Sequence, residues 1–366
     1  MASRQYTVGI IGLGYGRAHI AGFQAAGVEV VALCQRDIAA AAKLASQYQV
    51  PQVFARWQDL LTQARPDIVV IATPPALHLP ILQAAVAAGC HVVCEKPLAT
   101  TTAEAHAMAA AARASGRSVI TSFNWRFAPA MQRMKQMVDA GYLGRVFHVN
   151  AHWFNPAWVD ATTAPTWRMD RALAGHGALG DLGVHLIDLV QWLFGDMDKV
   201  TASCGTAYAG RTVPGGGRPA DAEDFSHVLA SLKCGASAAI TVSRVARGLN
   251  EHRLEVYGEQ GALAMRQSRT GTAWHLGELR SASGAAWFEP VSLSPTDTGT
   301  PLSQDRLERT GQATICPMVK QFLQAIEGNR PLAPSLQDGA SAQAVLDAVL
   351  ESTRSGRWAS IGQPGL

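Results

Sequence analysis

The sequence predicts an α/β fold in two domains. Over residues 1–122, short apolar strands alternate with helices, a pattern typical of a doubly wound parallel sheet. Over residues 123–366, strand follows strand with turn signals between them. That change predicts an α+β domain with a mainly antiparallel open sheet. The third observation is a glycine-rich segment between the first strand and the first helix.

The first domain is predicted from regular changes between apolar runs and alanine-rich helical runs. The predicted strands are 8–11, 28–34, 53–54, 68–72, 92–94 and 119–122. The predicted helices are 16–26, 38–48, 57–62, 79–88 and 102–115. This alternation is the reason for expecting a parallel sheet.

The second domain is predicted from longer strands. These are 145–152, 200–208, 225–233, 236–245, 253–257 and 261–265. Helices are predicted at 130–140, 179–194, 319–327 and 339–354. Residues 209–222 and 266–310 are rich in Gly, Ser, Thr and Pro and are predicted to be loops.

The glycine-rich segment predicts a dinucleotide site, and with it a Rossmann domain. Glycine allows the sharp turn and the close approach to a pyrophosphate, and the helix N-terminus adds N–H groups. The third glycine comes one residue earlier than in the usual spacing, and Arg17 takes its place. The loop residues are Gly12, Leu13, Gly14, Tyr15 and Gly16.

The end of the second strand bears on the choice of cofactor. An acidic residue there usually binds the ribose 2′-hydroxyl of NAD. Here Gln35 is neutral and Arg36 follows it, which favours the 2′-phosphate of NADP. Arg36 stacked on the adenine of NAD is the alternative, and Asp37 is the acid if the alignment shifts. We therefore expect NADP or NAD, with NADP slightly favoured.

Two further strands end in polar clusters, where ligands of parallel sheets bind. Thr73 and Pro74 follow one strand, and Glu95 and Lys96 follow the next. The proline after Lys96 restricts the backbone there. Lys96 is therefore a candidate for chemistry.

Composition excludes several classes of partner. The formal net charge is +3 and there is no basic run, so neither nucleic acid nor a membrane surface is expected. The six cysteines are scattered without metal-site spacing, so no metal is expected and a reducing compartment fits. The N-terminus shows no signal-peptide pattern, which predicts a cytoplasmic protein.

Four stretches, 67–78, 89–98, 123–127 and 175–188, resemble the glucose–fructose oxidoreductase / inositol dehydrogenase (Gfo/Idh/MocA) family. The resemblance covers nearly the whole chain. It implies that Lys96, Asp181 and His185 are catalytic. The departures are the shortened glycine loop, Gln35, and His176 where the family often has glycine.

The helix at 179–194 supports this from its pattern alone. Asp181, His185, Asp188 and Trp192 share one face of an otherwise apolar helix, so that face must meet a partner or line a cleft. For Asp188 we favour a core hydrogen-bond network. For Asp181 and His185 the resemblance favours catalysis.

The implied chemistry is hydride transfer between a carbinol carbon and C4 of a nicotinamide. His185 is the expected acid/base, because an unperturbed histidine titrates near neutrality. Lys96 would bond the same oxygen, and Asp181 would orient substrate or imidazole. The sequence leaves open whether Lys96 and His185 exchange these roles.

The expected substrate is a sugar, cyclitol or related polyol. Trp153 and Arg168 lie in an aromatic segment that suits a sugar face and its hydroxyls, and Arg168 resembles a substrate-lining element of the family. The resemblance places Asn124 near the cofactor and Arg126 near the substrate, while His78 is within reach of the cofactor. Alternative functions are a glycosidase that uses NAD for transient oxidation and a non-catalytic NADP-sensing regulator.

A homodimer or homotetramer is also expected. Alternation in the second sheet assigns Val228, Ala230, Ala238 and Ile240 partly to a face that no later segment clearly covers. A large uncovered apolar face is unfavourable in a monomer. The family often pairs such faces, so association through this sheet is predicted.

Overall fold

The computed structural model describes residues 5–208, 210–213, 219–271, 274–293 and 302–362. They form two compact units. Unit 1 contains residues 1–99, 103–127 and 300–340, and unit 2 contains 100–102, 128–299 and 341–366. No helix among the described residues is long and apolar enough to cross a membrane.

Unit 1 is built on a parallel six-stranded sheet with the order β3-β2-β1-β4-β5-β6. Its strands are β1 (Thr7–Ile11), β2 (Glu29–Cys34), β3 (Gln52–Phe54), β4 (Ile68–Ile71), β5 (His91–Cys94) and β6 (Val119–Thr121). The chain reverses its winding direction between β1 and β4, which is where a doubly wound sheet offers its ligand crevice.

Helices cover both faces of this sheet. They are α1 (Gly16–Ala25), α2 (Ile38–Tyr48), α3 (Trp57–Asp59), α4 (His78–Ala87) and α5 (Thr102–Ser115). Alternate residues of each strand enter separate cores. Ile68 and Val70 join one core with Phe23, while Val69 and Ile71 join the other. Burial on both sides explains why these strands are continuous apolar runs.

Unit 1 also includes a late part of the chain, beyond the predicted boundary at residue 122. The added helices are α9 (Arg306–Thr310) and α10 (Cys316–Ile326), joined by a π-helical turn at Gly311–Ile315. These elements pack on α1 so closely that a Cβ on Gly311 would lie 2.1 Å from the carbonyl oxygen of Ala18. The compact unit is therefore discontinuous in sequence.

Unit 2 is built on a nine-stranded sheet with the order β14-β13-β12-β11-β7-β10-β9-β8-β15. All neighbours are antiparallel except the parallel pair β7 and β10, as the prediction of a mainly antiparallel sheet requires. The strands are β7 (Val146–Phe154), β8 (Met197–Gly205), β9 (Phe225–Leu232), β10 (Ser237–Ser243), β11 (Glu251–Gly258), β12 (Gly261–Ser268), β13 (Glu278–Ser283), β14 (Glu289–Pro290) and β15 (Ala359–Ser360).

Its helices are α6 (Pro129–Asp139), α7 (Arg171–Ala174), α8 (Val184–Phe194) and most of α11 (Leu336–Ser355). A π-helical turn at Leu179–Gly183 leads into α8. That turn packs on β10, and α8 packs on β7. The prediction that 266–310 is a loop was wrong for β13, β14 and α9; residues 209, 214–218, 272–273 and 294–301 of the predicted loops lie outside the described part of the chain.

The prediction of which residues lie on the uncovered face of the second sheet was wrong. Val228, Ala230, Ala238 and Ile240 are at most 3% exposed, so they belong to the buried core of unit 2. The register places Leu229 opposite Ala239 on the other face, and Leu229 is 54% exposed. Because side chains alternate between faces, a shift of one residue in the assignment exchanges the two faces.

Candidate active site

The glycine loop of unit 1 combines two crowded positions with one open position. Gly12 has a φ of 91°, and a Cβ there would lie 2.5 Å from the carbonyl oxygen of Ala72. A Cβ on Gly16 would lie 3.2 Å from Ile10, so this glycine lets α1 pack on β1. Around Gly14, no described atom would lie within 4 Å of a Cβ. An open backbone between two fixed points fits the approach of a pyrophosphate.

The residues after β2 divide between structural and solvent-facing positions. Asp37 is the N-cap of α2 and accepts a hydrogen bond from the backbone N–H of Ala40. Arg36 is exposed and Gln35 is half-buried. Because its carboxylate caps a helix, Asp37 is poorly suited to bind a ribose, and Gln35 and Arg36 remain the candidates.

His78 fixes the segment that follows β4 through contacts of its ring with two backbone carbonyls. The Nδ1 atom of His78 lies 3.0 Å from the Leu98 carbonyl oxygen, and its Nε2 atom lies 2.9 Å from that of Thr73. Burial lowers the pKa of His78 against the opposing effect of these carbonyls. The ring is fully buried, so the structure makes His78 a brace for the loop rather than a cofactor ligand. The hydroxyl of Thr73 is buried and has no hydrogen-bond partner among the described residues, which leaves it available to a ligand.

Glu95 links the lysine segment to α1. Its Oε1 atom lies 2.7 Å from Nε2 of His19, and its Oε2 atom accepts from the backbone N–H of Lys96 at 3.2 Å. Burial would raise the pKa of Glu95, but His19 and the Lys96 charge outweigh it and lower the pKa. Glu95 was predicted to bind the cofactor; in this geometry it positions Lys96, which is itself half-buried.

Asn124 and Arg126 make contacts within unit 1. Asn124 donates to the Thr314 hydroxyl at 2.7 Å and lies 3.5 Å from the hydroxyl of Tyr15 in the glycine loop. Arg126 is 5% exposed and forms an ion pair with Asp338 at 3.1 Å. The guanidinium of Arg126 therefore has an acidic partner within unit 1, and its role as a substrate ligand stays a prediction.

In unit 2, Asp181 lies between two arginines. Its carboxylate is 3.5 Å from Nε of Arg168 and forms a second ion pair with Arg244. Arg244 also donates to the side-chain oxygen of Asn155 at 3.0 Å, and its guanidinium lies over Trp158. Sequence reasoning expected Asp181 to orient the substrate or an imidazole; the ion pairs observed are with arginines.

His185 stacks on Trp153, with 5.5 Å between ring centroids. Trp153 also contacts the ring of His252 at 4.4 Å and the guanidinium of Arg269 at 4.8 Å. Burial, followed by the charge of Arg269, lowers the pKa of His252 well below its usual value. Trp153 is 5% exposed, so within unit 2 it supports His185 rather than offering an open stacking face.

Arg244 and His252 were not among the predicted site residues. Arg244 directly follows β10, and His252 is opposite Trp153 only because of the pairing of β7 with β11. No local pattern signals either residue. The described residues contain no group of three or more His, Cys, Asp or Glu side chains that could hold a metal. Asp188 is buried, as predicted.

Two family profiles match this chain. One, described as an oxidoreductase family with an NAD-binding Rossmann fold, matches residues 6–123, and the other, the GFO/IDH/MocA C-terminal domain, matches residues 131–264. The chain belongs to the Gfo/Idh/MocA oxidoreductase family. Its first unit is therefore an NAD-binding Rossmann domain, as its glycine loop predicted.

This chain is similar to proteins whose activities are named. Levoglucosan dehydrogenase of Pseudarthrobacter phenanthrenivorans is 27% identical over 97% of this chain and 98% of its own. A solved levoglucosan dehydrogenase complexed with NADH and levoglucosan has a TM-score of 0.88, covering 98% of this chain and 100% of that one. D-Glucoside 3-dehydrogenase of Escherichia coli is 32% identical over 46% of this chain and 47% of its own.

Proposed function

We propose that this protein is an NAD(P)-dependent dehydrogenase or reductase that acts on a CH–OH group of a sugar, cyclitol or related polyol. The observation that carries the proposal is His185, stacked on Trp153 and preceded by the ion-paired Asp181 in the turn that leads into α8, in a chain whose other unit is an NAD-binding domain. A histidine held in place by an aromatic ring suits proton transfer to and from a hydroxyl.

The cofactor would be held by the glycine loop, Gln35, Arg36, the Thr73 and Pro74 turn, and Asn124. When bound, it supplies the hydride acceptor or donor at C4 of the nicotinamide. Gly14 leaves space for the pyrophosphate, and the buried Thr73 hydroxyl is a ready donor. The NADP preference stays a proposal that rests on Gln35 and Arg36.

In the proposed chemistry, His185 takes the proton of the substrate hydroxyl during oxidation and returns it during reduction. Lys96 donates to the same oxygen and stabilises its developing negative charge. Asp181 and its two arginines orient the substrate. The exchange of roles between Lys96 and His185 is decided by the pH profiles of their variants.

The function is tested by a panel of sugars, cyclitols and polyols with NAD and with NADP, followed at the absorbance of the reduced nicotinamide. We expect turnover with at least one member and net formation of reduced cofactor. Release of a sugar from a glycoside without net cofactor reduction would contradict the proposal and support the glycosidase. No observation in the described residues favours that alternative or the regulator.

We also propose a homodimer or homotetramer in the cytoplasm, assembled through the face of the second sheet that carries Leu229. The support is the exposure of this leucine on an inner strand of the sheet. Light scattering at micromolar concentration is expected to give a multiple of the chain mass, and Leu229→Lys to lower it. A monomer mass for the unchanged protein would contradict the assembly.

A further inference from the structure

His19 is a buried polar residue of unit 1 that the proposed chemistry does not use. It lies in α1, just after the glycine loop, and its exposed fraction is 0%. The rings of Tyr15 and Phe23 flank its ring, with centroid distances of 6.2 and 6.5 Å. The three residues are spaced four apart, so they share one face of the helix and restrict the orientation of the imidazole.

The imidazole of His19 contacts the carboxylate of Glu95. Its Nε2 atom lies 2.7 Å from Oε1, and both side chains are buried. Burial acts to raise the pKa of Glu95, and the hydrogen bond with His19 is the largest of the effects that lower it. An ionised carboxylate only accepts hydrogen bonds, so Nε2 carries the proton and donates it.

The same carboxylate acts on Lys96. The Oε2 atom of Glu95 accepts from the backbone N–H of Lys96 at 3.2 Å, and the charge of Lys96 helps to lower the pKa of Glu95. The attraction between two charges is mutual, so the carboxylate favours the cationic form of Lys96 in return. Glu95 therefore acts on both the backbone and the charge of this lysine.

Two other titratable groups feel the charge of Glu95. They are His78 and Cys94, and both are buried. Burial lowers the pKa of His78 and raises that of Cys94 well above its usual value, so both are uncharged near neutral pH. Both ring nitrogens of His78 face backbone carbonyls. Neither group therefore takes over the donation that His19 makes to Glu95.

We propose that His19 is a positioning residue that acts through Glu95: it holds the carboxylate ionised and in place, and the carboxylate in turn keeps Lys96 cationic. The consequence for catalysis rests on the proposed function, in which Lys96 stabilises negative charge on the substrate oxygen. Without the proton of His19, burial would drive Glu95 towards its neutral form. Lys96 would then lose a neighbouring negative charge and release its own proton more readily.

The reactivity of Lys96 tests this link without turnover. His19→Met removes the donor, whereas His19→Gln keeps a side-chain N–H of similar reach. Trace acetylation by acetic anhydride over a range of pH is quantified by mass spectrometry of the peptide that contains Lys96. Only the neutral amine reacts, so the midpoint reports its proton affinity and the plateau reports access.

His19→Met should move the midpoint of Lys96 to lower pH, with labelling below the midpoint roughly threefold faster or more. His19→Gln should stay close to the unchanged protein. An unchanged midpoint in His19→Met, or a change confined to the plateau, would overturn the proposal. His19→Asn, whose side chain is shorter, takes the place of His19→Met if circular dichroism shows that the latter does not fold.

A double substitution tests whether His19 acts through Glu95. Glu95→Gln should shift the midpoint in the same direction, and adding His19→Met to it should shift the midpoint no further, because both changes break one link. Additive shifts would overturn the route through Glu95.

Two controls separate this effect from loosened packing. Phe23→Leu alters the same face of α1 and should lower the melting temperature, yet leave the midpoint of Lys96 unchanged. Lys43, exposed on α2, provides a reference amine in every sample, and its midpoint should stay constant. A shift in Phe23→Leu equal to that in His19→Met would assign the effect to packing and overturn the proposal.

Turnover tests the consequence for catalysis. With a substrate from the panel, His19→Met should lower kcat about tenfold, less than removal of Lys96, because the cation is weakened rather than deleted. KM should stay within severalfold, and His19→Gln should restore most of kcat. A shifted midpoint with unchanged kcat would overturn the role in catalysis. If no sugar is turned over, the proposed function fails, while the labelling still supports or overturns the link from His19 to Lys96.

Discussion

Unit 1 and unit 2 hold their polar residues in different ways. In unit 1, most candidate residues lie within a few positions of a strand end and are fixed by backbone groups or single buried partners, as Glu95 is by His19. In unit 2, Asp181 and His185 contact side chains that are distant in sequence: Trp153 of β7, Arg244 just after β10, and Arg168. The first arrangement is local in sequence, and the second exists only after strand pairing. We therefore expect substitutions in the glycine loop of unit 1 to separate cofactor binding from stability, and substitutions of Lys96 and of the unit 2 residues to affect chemistry.

Lys96→Ala should have the largest effect on turnover. The variant loses the cation that stabilises negative charge on the substrate oxygen, so kcat should fall by about 10²–10³-fold. Cofactor affinity, measured by fluorescence titration, should stay within severalfold. Lys43→Ala, at an exposed position of α2, is the control and should match the unchanged protein. A near-normal kcat for Lys96→Ala would remove this lysine from the chemistry.

His185→Gln should lower kcat by about 10²-fold, because it removes the group proposed to move the proton. The decisive measurement is the pH profile. Oxidation requires the neutral ring, so the rate of the unchanged enzyme should rise along one limb of the pH profile as the ring loses its proton. That limb should disappear in the variant; if it persists, the acid/base is Lys96.

The glycine loop offers a matched pair of substitutions that separates folding from cofactor binding. Gly12→Ala forces a Cβ against the Ala72 carbonyl at a positive φ and should cost about 1–3 kcal/mol of unfolding free energy. Gly14→Ala meets no described atom, so its melting temperature should be unchanged. Its dissociation constant for the cofactor should nonetheless rise roughly tenfold or more, because the Cβ occupies the space proposed for the pyrophosphate. Unchanged cofactor affinity in Gly14→Ala would contradict the proposed phosphate site.

Glu95→Gln tests the buried link between α1 and the lysine segment. Folding lowers the pKa of Glu95, so its stabilisation is present above the carboxyl pKa of the unfolded chain, about 4.3, and is lost as pH falls through the folded value. The variant should be less stable at pH 7 by about 1–3 kcal/mol. Denaturant titration should show this difference shrinking in acid; a difference independent of pH would show that the charge of Glu95 does not contribute.

Much of unit 1 was accessible from the sequence because its signals are local. Gly12 and Gly16 are needed by the turn and the helix packing that follow them, and Lys96 lies where a strand must end. The sequence did not predict that α9 and α10 belong to this unit. They join it only by packing on α1, which lies nearly 300 residues earlier in the chain.

The predictions for unit 2 failed where they needed a register. The alternation in β9 was visible, but which set of residues faces the helices was not, and Val228 was placed on the wrong side. Arg244 and His252 reach Asp181 and Trp153 through the pairing of β10 and β11 with β7. A single sequence shows which segments form strands but not which strands pair or in what register. Arg244 and His252 could therefore not be assigned to the site.

The smallest expected effect concerns cofactor choice. Arg36→Ala should raise the dissociation constant for NADP roughly tenfold and leave that for NAD nearly unchanged, because only NADP carries the 2′-phosphate. The control Asp37→Ala removes a helix cap and should lower stability by about 1 kcal/mol without changing the ratio of the two constants. Equal loss for both cofactors would reduce Arg36 to a contact with the adenine.

Hydride transfer is tested most directly by following an isotope. A substrate from the panel, deuterated at the carbinol carbon that is oxidised, is incubated with the enzyme and cofactor in ordinary water, and the reduced nicotinamide is examined by NMR. We expect the deuterium at C4 of the nicotinamide in stoichiometric amount. Deuterium lost to the solvent, or retained in a product formed without reduced cofactor, would contradict the proposed function.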